Sequence, residues 1–327
     1  MKRGKRDRRI FGIISVAFVM LATVAGAREW FVDQKHPSAC DTNAGVEAAP
    51  FKTIQPAVDA AKPGETVYVK AGVYSDQVKL RTFGNPYHPS TLTAWKEDRV
   101  IIGSELRELP PADQWEPIEG HKSFQVQLPE GTPDDMIVIL DGKPIPTQFC
   151  GIDPKKLNPI FFKEGPPDDN KLNWAIYRIS DQTTPDGLRL AGRTLIVNTG
   201  DGNPAAKHKV QQARRVEPFV ATETAAYWKI SKLEFAWANS GICLLQSTGI
   251  LLEDCFFHDI YRPAVFGTGR MGTIRRCNFL RCGFGVQGQH GLGGVIEDNL
   301  FVQCGMDIDY DIDNRLIGCQ EGSVVSR

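Results

Sequence analysis

Four segments of the chain superimpose without a gap: "ISKLEF" from Ile230, "LEDCFF" from Leu252, "IRRCNF" from Ile274 and "IEDNLF" from Ile296, each starting 22 residues after the last. The phenylalanines keep the same step, at Phe235, Phe257, Phe279 and Phe301. A second column lies twelve residues into each repeat (Ile242, Ala264, Val286, Ile308) and a third lies eight residues in (Ala238, Ile260, Cys282, Cys304). Counting back one repeat from Ile242 reaches Val220 in "PFVATET", which predicts an imperfect earlier turn. A unit this short, rich in β-branched and aromatic residues and broken by glycine and by Asp or Asn corners, leaves no room for a helix pair. It predicts an all-β fold, a single-stranded parallel β-helix in which each rung stacks about 4.8 Å above the one before and like residues form ladders. A leucine-rich repeat competes at this period, but its regular leucine spacing is absent.

The charges agree with that register. Glu253, Arg275 and Glu297 fall in one column and Asp254, Arg276 and Asp298 in the next, so opposite signs meet on successive rungs. The abundance of glycine (31) and proline (21) fits many turns. With 38 basic and 39 acidic residues the formal net charge is -1, and no basic excess exists to neutralise phosphates. A nucleic-acid partner is therefore not expected.

The repeat occupies 214–327, and three other regions precede it. Residues 1–27 read as a signal peptide: a leader with Lys2, Arg3, Lys5, Arg6, Arg8 and Arg9, an apolar run from Ile10 to Val24, and the small residues Ala25-Gly26-Ala27. This predicts export, to the periplasm, the cell surface or the medium, with no membrane contact after cleavage. "RRIF" also fits a twin-arginine signal in part. Residues 28–110 read as an N-terminal cap and first rungs. There "PFKTIQPAVDAAKPGETVYVKAGVY" predicts a short helix with Ile54, Val58 and Ala61 on one face, ended by Pro63-Gly64 and followed by a strand from Thr66 to Val69. A helix there covers the open end of the coil. Residues 111–213 lack the 22-residue step and read as an inserted β subdomain or long loops. In it "MIVILDGKPI" predicts a hairpin about Asp141-Gly142, and "LAGRTLIVNTGDGN" predicts another.

With "FVD" before the cap segment and "VIIGSE" after it, the chain resembles the secreted right-handed parallel β-helix proteins that act on carbohydrates, the pectate-lyase-like group. These include β-helix glycoside hydrolases of the β-xylosidase and α-fucosidase type. "DGKPI" and "TLIVNTGDGNP" are similar to the β insertion some of those hydrolases carry. The resemblance implies a right-handed coil and a polysaccharide or oligosaccharide as partner.

The candidate site is "MDIDYDIDNR", with aspartate at every second position: Asp307, Asp309, Asp311 and Asp313. Because Ile308 belongs to the apolar column with Val286, the alternation of a strand predicts Asp307, Asp309 and Asp311 on the outer face. One rung earlier the outward positions are Gly285, Gln287 and Gln289, beside His290. Outward carboxylates two residues apart sit about 6.5 to 7 Å apart at Cα, a spacing that suits a two-carboxylate glycosidase or a shared Ca²⁺. A solvated strand face is the plain alternative, but three like charges in a row repel one another. The catalytic candidates are Asp309 as nucleophile and Asp311 or Asp307 as acid, with Asp307, Asp309 and Asp311 as candidate calcium ligands. Gln287, Gln289, His290 and Arg315 are the substrate-binding candidates. The hydrolases resembled place an Asp and a Glu on neighbouring rungs. Here the last rung begins at Leu316, so the next strand of that kind would start past Arg327. The expectation is an open edge that another chain or domain covers, or a shortened groove.

His258 and Asp259, adjacent in "CFFHDIYRP", are expected to face opposite sides of a strand and so not to hydrogen-bond. Cys255 with Cys277 and Cys282 with Cys304 are expected as stacked free thiols, since in-register parallel side chains do not point at each other. Cys40 and Cys150 are the open disulfide candidate. The leading functional reading is a protein that binds, and is a candidate to cleave, polysaccharide along the outer rungs, by hydrolysis or by elimination. The competing reading is a non-catalytic surface or scaffold protein with an acidic edge.

Overall fold

A computed structural model describes residues 27–130, 132, 136–145, 147–150, 172–178, 182–183, 189–190, 193–214, 217–288, 293–310, 315–317 and 320–321. The leader thus lies outside the described residues. Three parallel sheets, of eight, seven and six strands, wrap one apolar core. Within the repeat each turn of chain contributes one strand to each sheet. For one rung these are Leu251–Glu253, Phe256–His258 and Pro263–Phe266. Residues 22 apart are direct partners: Ile230, Leu252, Ile274 and Ile296 in the eight-stranded sheet, Phe235, Phe257, Phe279 and Phe301 in the seven-stranded one. The phenylalanine rings stack nearly parallel, with centroids 4.7, 5.0 and 4.7 Å apart. The same spacing brings the charge columns together. Arg275 reaches Glu253 at 2.8 Å and Glu297 at 3.9 Å, and Arg276 reaches Asp254 at 2.8 Å.

Three sharp corners per rung let so short a unit close. Each corner holds a left-handed residue that recurs every 22 residues: Tyr227, Gly249, Met271 and Gly293; Lys232, Asp254, Arg276 and Asp298; Trp237, Asp259, Arg281 and Gln303. A side chain in that region costs about 1–2 kcal/mol, and glycine avoids this at some loss of chain entropy. Met271 has φ +52° and is exposed, in a column where two neighbours are glycine. Met271→Gly is therefore expected to raise stability by about 0.5–1 kcal/mol in urea unfolding. Gly249→Ala should lower it, because a Cβ there would sit 2.6 Å from the Tyr227 ring.

The second column departs from the expected step. Ile242 pairs with Val265, not Ala264, and Val265 pairs with Val286. The corner through Tyr261 and Arg262 holds one residue more than its neighbours, and a slip of one residue moves a strand to its other face. One rung back the inward residue is likewise Phe219, partnered with Ile242, and Val220 takes the outward column.

The helix Ile54–Ala60 buries Ile54, Ala57 and Val58 against the first rungs, with buried Ala61 closing it, and the strand Thr66–Val69 follows. Between the early and late rungs the described residues form, besides one two-stranded sheet, two larger sheets. One orders Lys143–Pro144, Met136–Leu140, Val210–Arg214 and Arg107–Glu108; the other is built around Trp174–Arg178, Thr194–Asn198 and Phe124–Gln127. Asp141 (φ +50°) and Gly142 (φ +79°) make the expected two-residue hairpin turn. The second expected hairpin does not form. Thr194–Asn198 pairs with Trp174–Arg178 and Phe124–Gln127, whereas Arg189–Leu190 pairs with Gln182–Thr183, so "LAGRTLIVN" supplies two different sheets. Cys255, Cys277, Cys282 and Cys304 are free and buried, as expected. Cys40 is a free, exposed thiol 3.2 Å from Thr42 Oγ1, which removes the Cys40–Cys150 disulfide.

Candidate functional site

The six-stranded sheet carries the aspartate strand. Its buried column runs through Val78, Phe219, Ile242, Val265 and Val286, and Ile308 holds the next register position. The next position along each strand lies on the opposite face, and that outer column runs through Lys79, Val220, Cys243, Phe266, Gln287 and Asp309. Lys79 is exposed, and Val220 through Gln287 are partly exposed. Asp309, in the strand Met306–Tyr310, thus holds a register position at the end of a solvent-facing ladder.

Asp307 holds a different position. It lies opposite Gly285, between the pairs Phe284↔Met306 and Val286↔Ile308. Gly285, expected to face outward, is buried, and Ala264 one rung further back is wholly buried. The comb is therefore not uniform: of its two described aspartates, Asp309 extends an open column and Asp307 does not. Arg315 opens the strand Arg315–Ile317 of the eight-stranded sheet, opposite Val295. Asp311, Asp313, Gln289 and His290 lie outside the described residues. Among the described residues no three His, Cys, Asp or Glu side chains gather as metal ligands.

The four-stranded inserted sheet packs on the corner that leads into this face. Ile137, Ile139 and Ala213 pack with Leu106, Trp237 and Tyr261. Trp237 and Tyr261 sit on the corner before the strands Ile242–Cys243 and Pro263–Phe266.

Behind that corner lies a network the sequence reasoning missed. His258 Nδ1 is 2.7 Å from Asp259 Oδ2, and His258 Nε2 is 2.6 Å from Glu234 Oε1. Arg99 forks onto Glu234 at 2.7 and 2.6 Å, and Arg281 forks onto Asp259 at 2.6 and 2.7 Å. His258, Asp259 and Glu234 are all buried. The expectation that adjacent residues face apart fails because Asp259 is a corner residue at φ +54°, where strand alternation no longer holds. Burial alone would raise the Glu234 carboxyl, but His258 and Arg99 hold it down at about 2. Asp259 is lowered in the same way, against its burial, by His258 and Arg281. Burial would lower the His258 pKa, yet its two carboxylate partners raise it. Both ring nitrogens are engaged, so His258 is a charged pin between rungs and has no free nitrogen to act as a base.

Comparison with known proteins fits this architecture. Residues 219–323 match the family described as Right handed beta helix region, and residues 38–83 match Protein of unknown function (DUF1565). Pectate lyase PEL9 of Emericella nidulans is 38% identical over 81 residues, 24% of this chain and 19% of the lyase. The chain thus matches about a fifth of that relative's length. The solved complex of XylC with xylose shares 18% identity, with a TM-score of 0.59 over 90% of this chain and 61% of XylC. A second structure, described as a glycoside hydrolase, shares 12% identity with a TM-score of 0.55, over 85% of this chain and 74% of its own. The chain is a right-handed single-stranded parallel β-helix protein, of a fold shared with the solved XylC and glycoside hydrolase structures.

Proposed function

We propose that this is an exported protein that binds a polysaccharide or oligosaccharide along the outer column of the six-stranded sheet and cleaves it at the aspartate strand. The observation that carries the reading is the ladder Lys79–Val220–Cys243–Phe266–Gln287–Asp309, an open strip across the coil with a carboxylate at its end. Its apolar middle suits the C–H face of a sugar ring and its polar end suits hydroxyls. Asp309 is the nucleophile at the anomeric carbon, and Asp311 or Asp307 gives a proton to the leaving oxygen. Gln287, Gln289, His290 and Arg315 are the side chains assigned to hold the sugar. Calcium held by Asp307, Asp309 and Asp311 is the corresponding arrangement for a lyase acting on uronates.

Asp309→Asn is expected to lower turnover about 10²- to 10⁴-fold and to leave glycan binding in place. Gln287→Ala should weaken binding about threefold to tenfold, the worth of one hydrogen bond. A panel of neutral and uronic glycans, read by reducing ends and by the absorbance of unsaturated product, checks both. A chelator abolishes the second signal if the reaction is elimination. Undiminished turnover in Asp309→Asn, or no product from any glycan, would sink the proposal and leave a non-catalytic scaffold.

A further inference from the structure

The inserted sheets join the coil at a seam that the reading above does not use. The chain leaves the strand Val100–Gly103, passes Ser104 and Glu105, and becomes the strand Arg107–Glu108, whose Arg107 pairs with Gln212. Beyond that pair the edge of Val210–Arg214 is met by a side chain, as Ser104 Oγ donates to the Arg214 carbonyl at 3.0 Å. Two hollows share Arg107 and Gln212. One, of about 120 Å³, is lined also by Ser75, Asp76, Ser104, Glu105 and Arg214. The other, of about 410 Å³, lies within the size range of ligand pockets, about 300–1,000 Å³.

The lining of the larger hollow is two-sided in chemistry. Pro110, Pro111 and Pro129 offer apolar ring faces, and Gln114, Glu130 and Thr132 offer polar groups. Gln212 Oε1 is buried with no hydrogen-bond partner among the described residues. An acceptor left in that state lacks a donor, which a ligand hydroxyl would supply. The charges select against anions. Glu108 is engaged by Lys209 at 3.4 Å and by Gln211 Nε2 at 2.9 Å, leaving Asp76, Glu105 and Glu130 against Arg107 and Arg214. A pyranose matches this lining, with its C–H face on the prolines and its hydroxyls on Gln212 and Arg107.

We propose that the seam is a second carbohydrate site, distinct from the six-stranded sheet, which takes a neutral mono- or disaccharide through Gln212 and Arg107. The test is amide hydrogen exchange by mass spectrometry on the full chain with xylobiose, cellobiose and digalacturonate. The neutral disaccharides are expected to protect residues 107–114 and 210–214, and digalacturonate is not. In Gln212→Leu the concentration for half-protection should rise about fivefold to tenfold, one hydrogen bond's worth, while Gln287→Ala and Asp309→Asn leave it unchanged. Arg107→Ala, at an exposed edge residue, gives the same readout if Gln212→Leu unfolds. No seam protection by either neutral sugar, protection by digalacturonate equal to theirs, or seam protection unaltered in both variants would overturn the assignment. An inactive sheet face would leave the seam result intact, so the two proposals fail separately.

Discussion

Phe257→Ala is expected to destabilise the protein by about 3–5 kcal/mol, the upper end for emptying an aromatic site in a packed core. Phe257 is wholly buried and lies between two parallel rings, Phe235 at 4.7 Å and Phe279 at 5.0 Å. Truncation leaves a cavity and breaks two stacks, each worth about 0.5–1.5 kcal/mol beyond area burial. Neighbouring rungs cannot close the gap, because their spacing is held by backbone hydrogen bonds on three sheets. Phe301→Ala makes the internal comparison. Phe301 stacks on Phe279 on one side, and its register partner on the next rung is Glu321. Its loss should therefore cost less than that of Phe257 or Phe279, by about one stack. Urea unfolding of the three variants checks the order, and equal losses would show that the ladder does not act through neighbours.

Removing one carboxylate from the His258 network is the second large effect. Asp259→Asn keeps the size of the side chain and a residue type that tolerates the left-handed corner, so charge is the main change. It leaves His258 and Arg281 without their shared anion, and an expected loss of about 3–5 kcal/mol at pH 6 follows. The pH dependence has a definite sign. His258 is raised above 6.5 in the folded protein, so its contribution is complete below that value and is lost as pH rises through the folded pKa. Glu234 is lowered from 4.5 to about 2 and Asp259 is lowered from 3.8, so their contributions are present above those values and are lost as pH falls. The network is therefore fully effective between about pH 4.5 and 6.5. Unfolding free energies across pH 3 to 9 are expected to fall at both ends in the parent protein, and to fall less on the alkaline side in Asp259→Asn. A parent profile that stays level above pH 7 would mean that His258 is neutral in the folded state.

Period was the most legible feature because every rung repeats the same packing problem. Ile230 and its partners, and Phe235 and its partners, each face one core, so apolar identity recurs wherever the coil passes the same point. The opposed columns Glu253/Arg275 and Asp254/Arg276 were legible for the same reason, since a charge feels the rung beside it. The candidate site was legible only in outline. "MDIDYDIDNR" announced a strand, but alternation treated Asp307 and Asp309 alike, whereas the buried state of Gly285 and the partial exposure of Gln287 separate them. The corner at Tyr261 and Arg262 hid its extra residue, since the count from Phe257 to Phe279 stays at 22.

Sequence alone settled that the chain coils, at what step, and which side chains stack, because those follow from local alternation repeated at one interval. Tertiary structure alone decided what the coil carries. Arg99 and Glu234 are 135 residues apart, as Ser104 and Arg214 are 110 apart, and no periodicity links partners that the insertion separates in sequence. His258 and Asp259 make the same point at the shortest range, for a single left-handed backbone angle turned two neighbours toward each other where a strand would have held them apart.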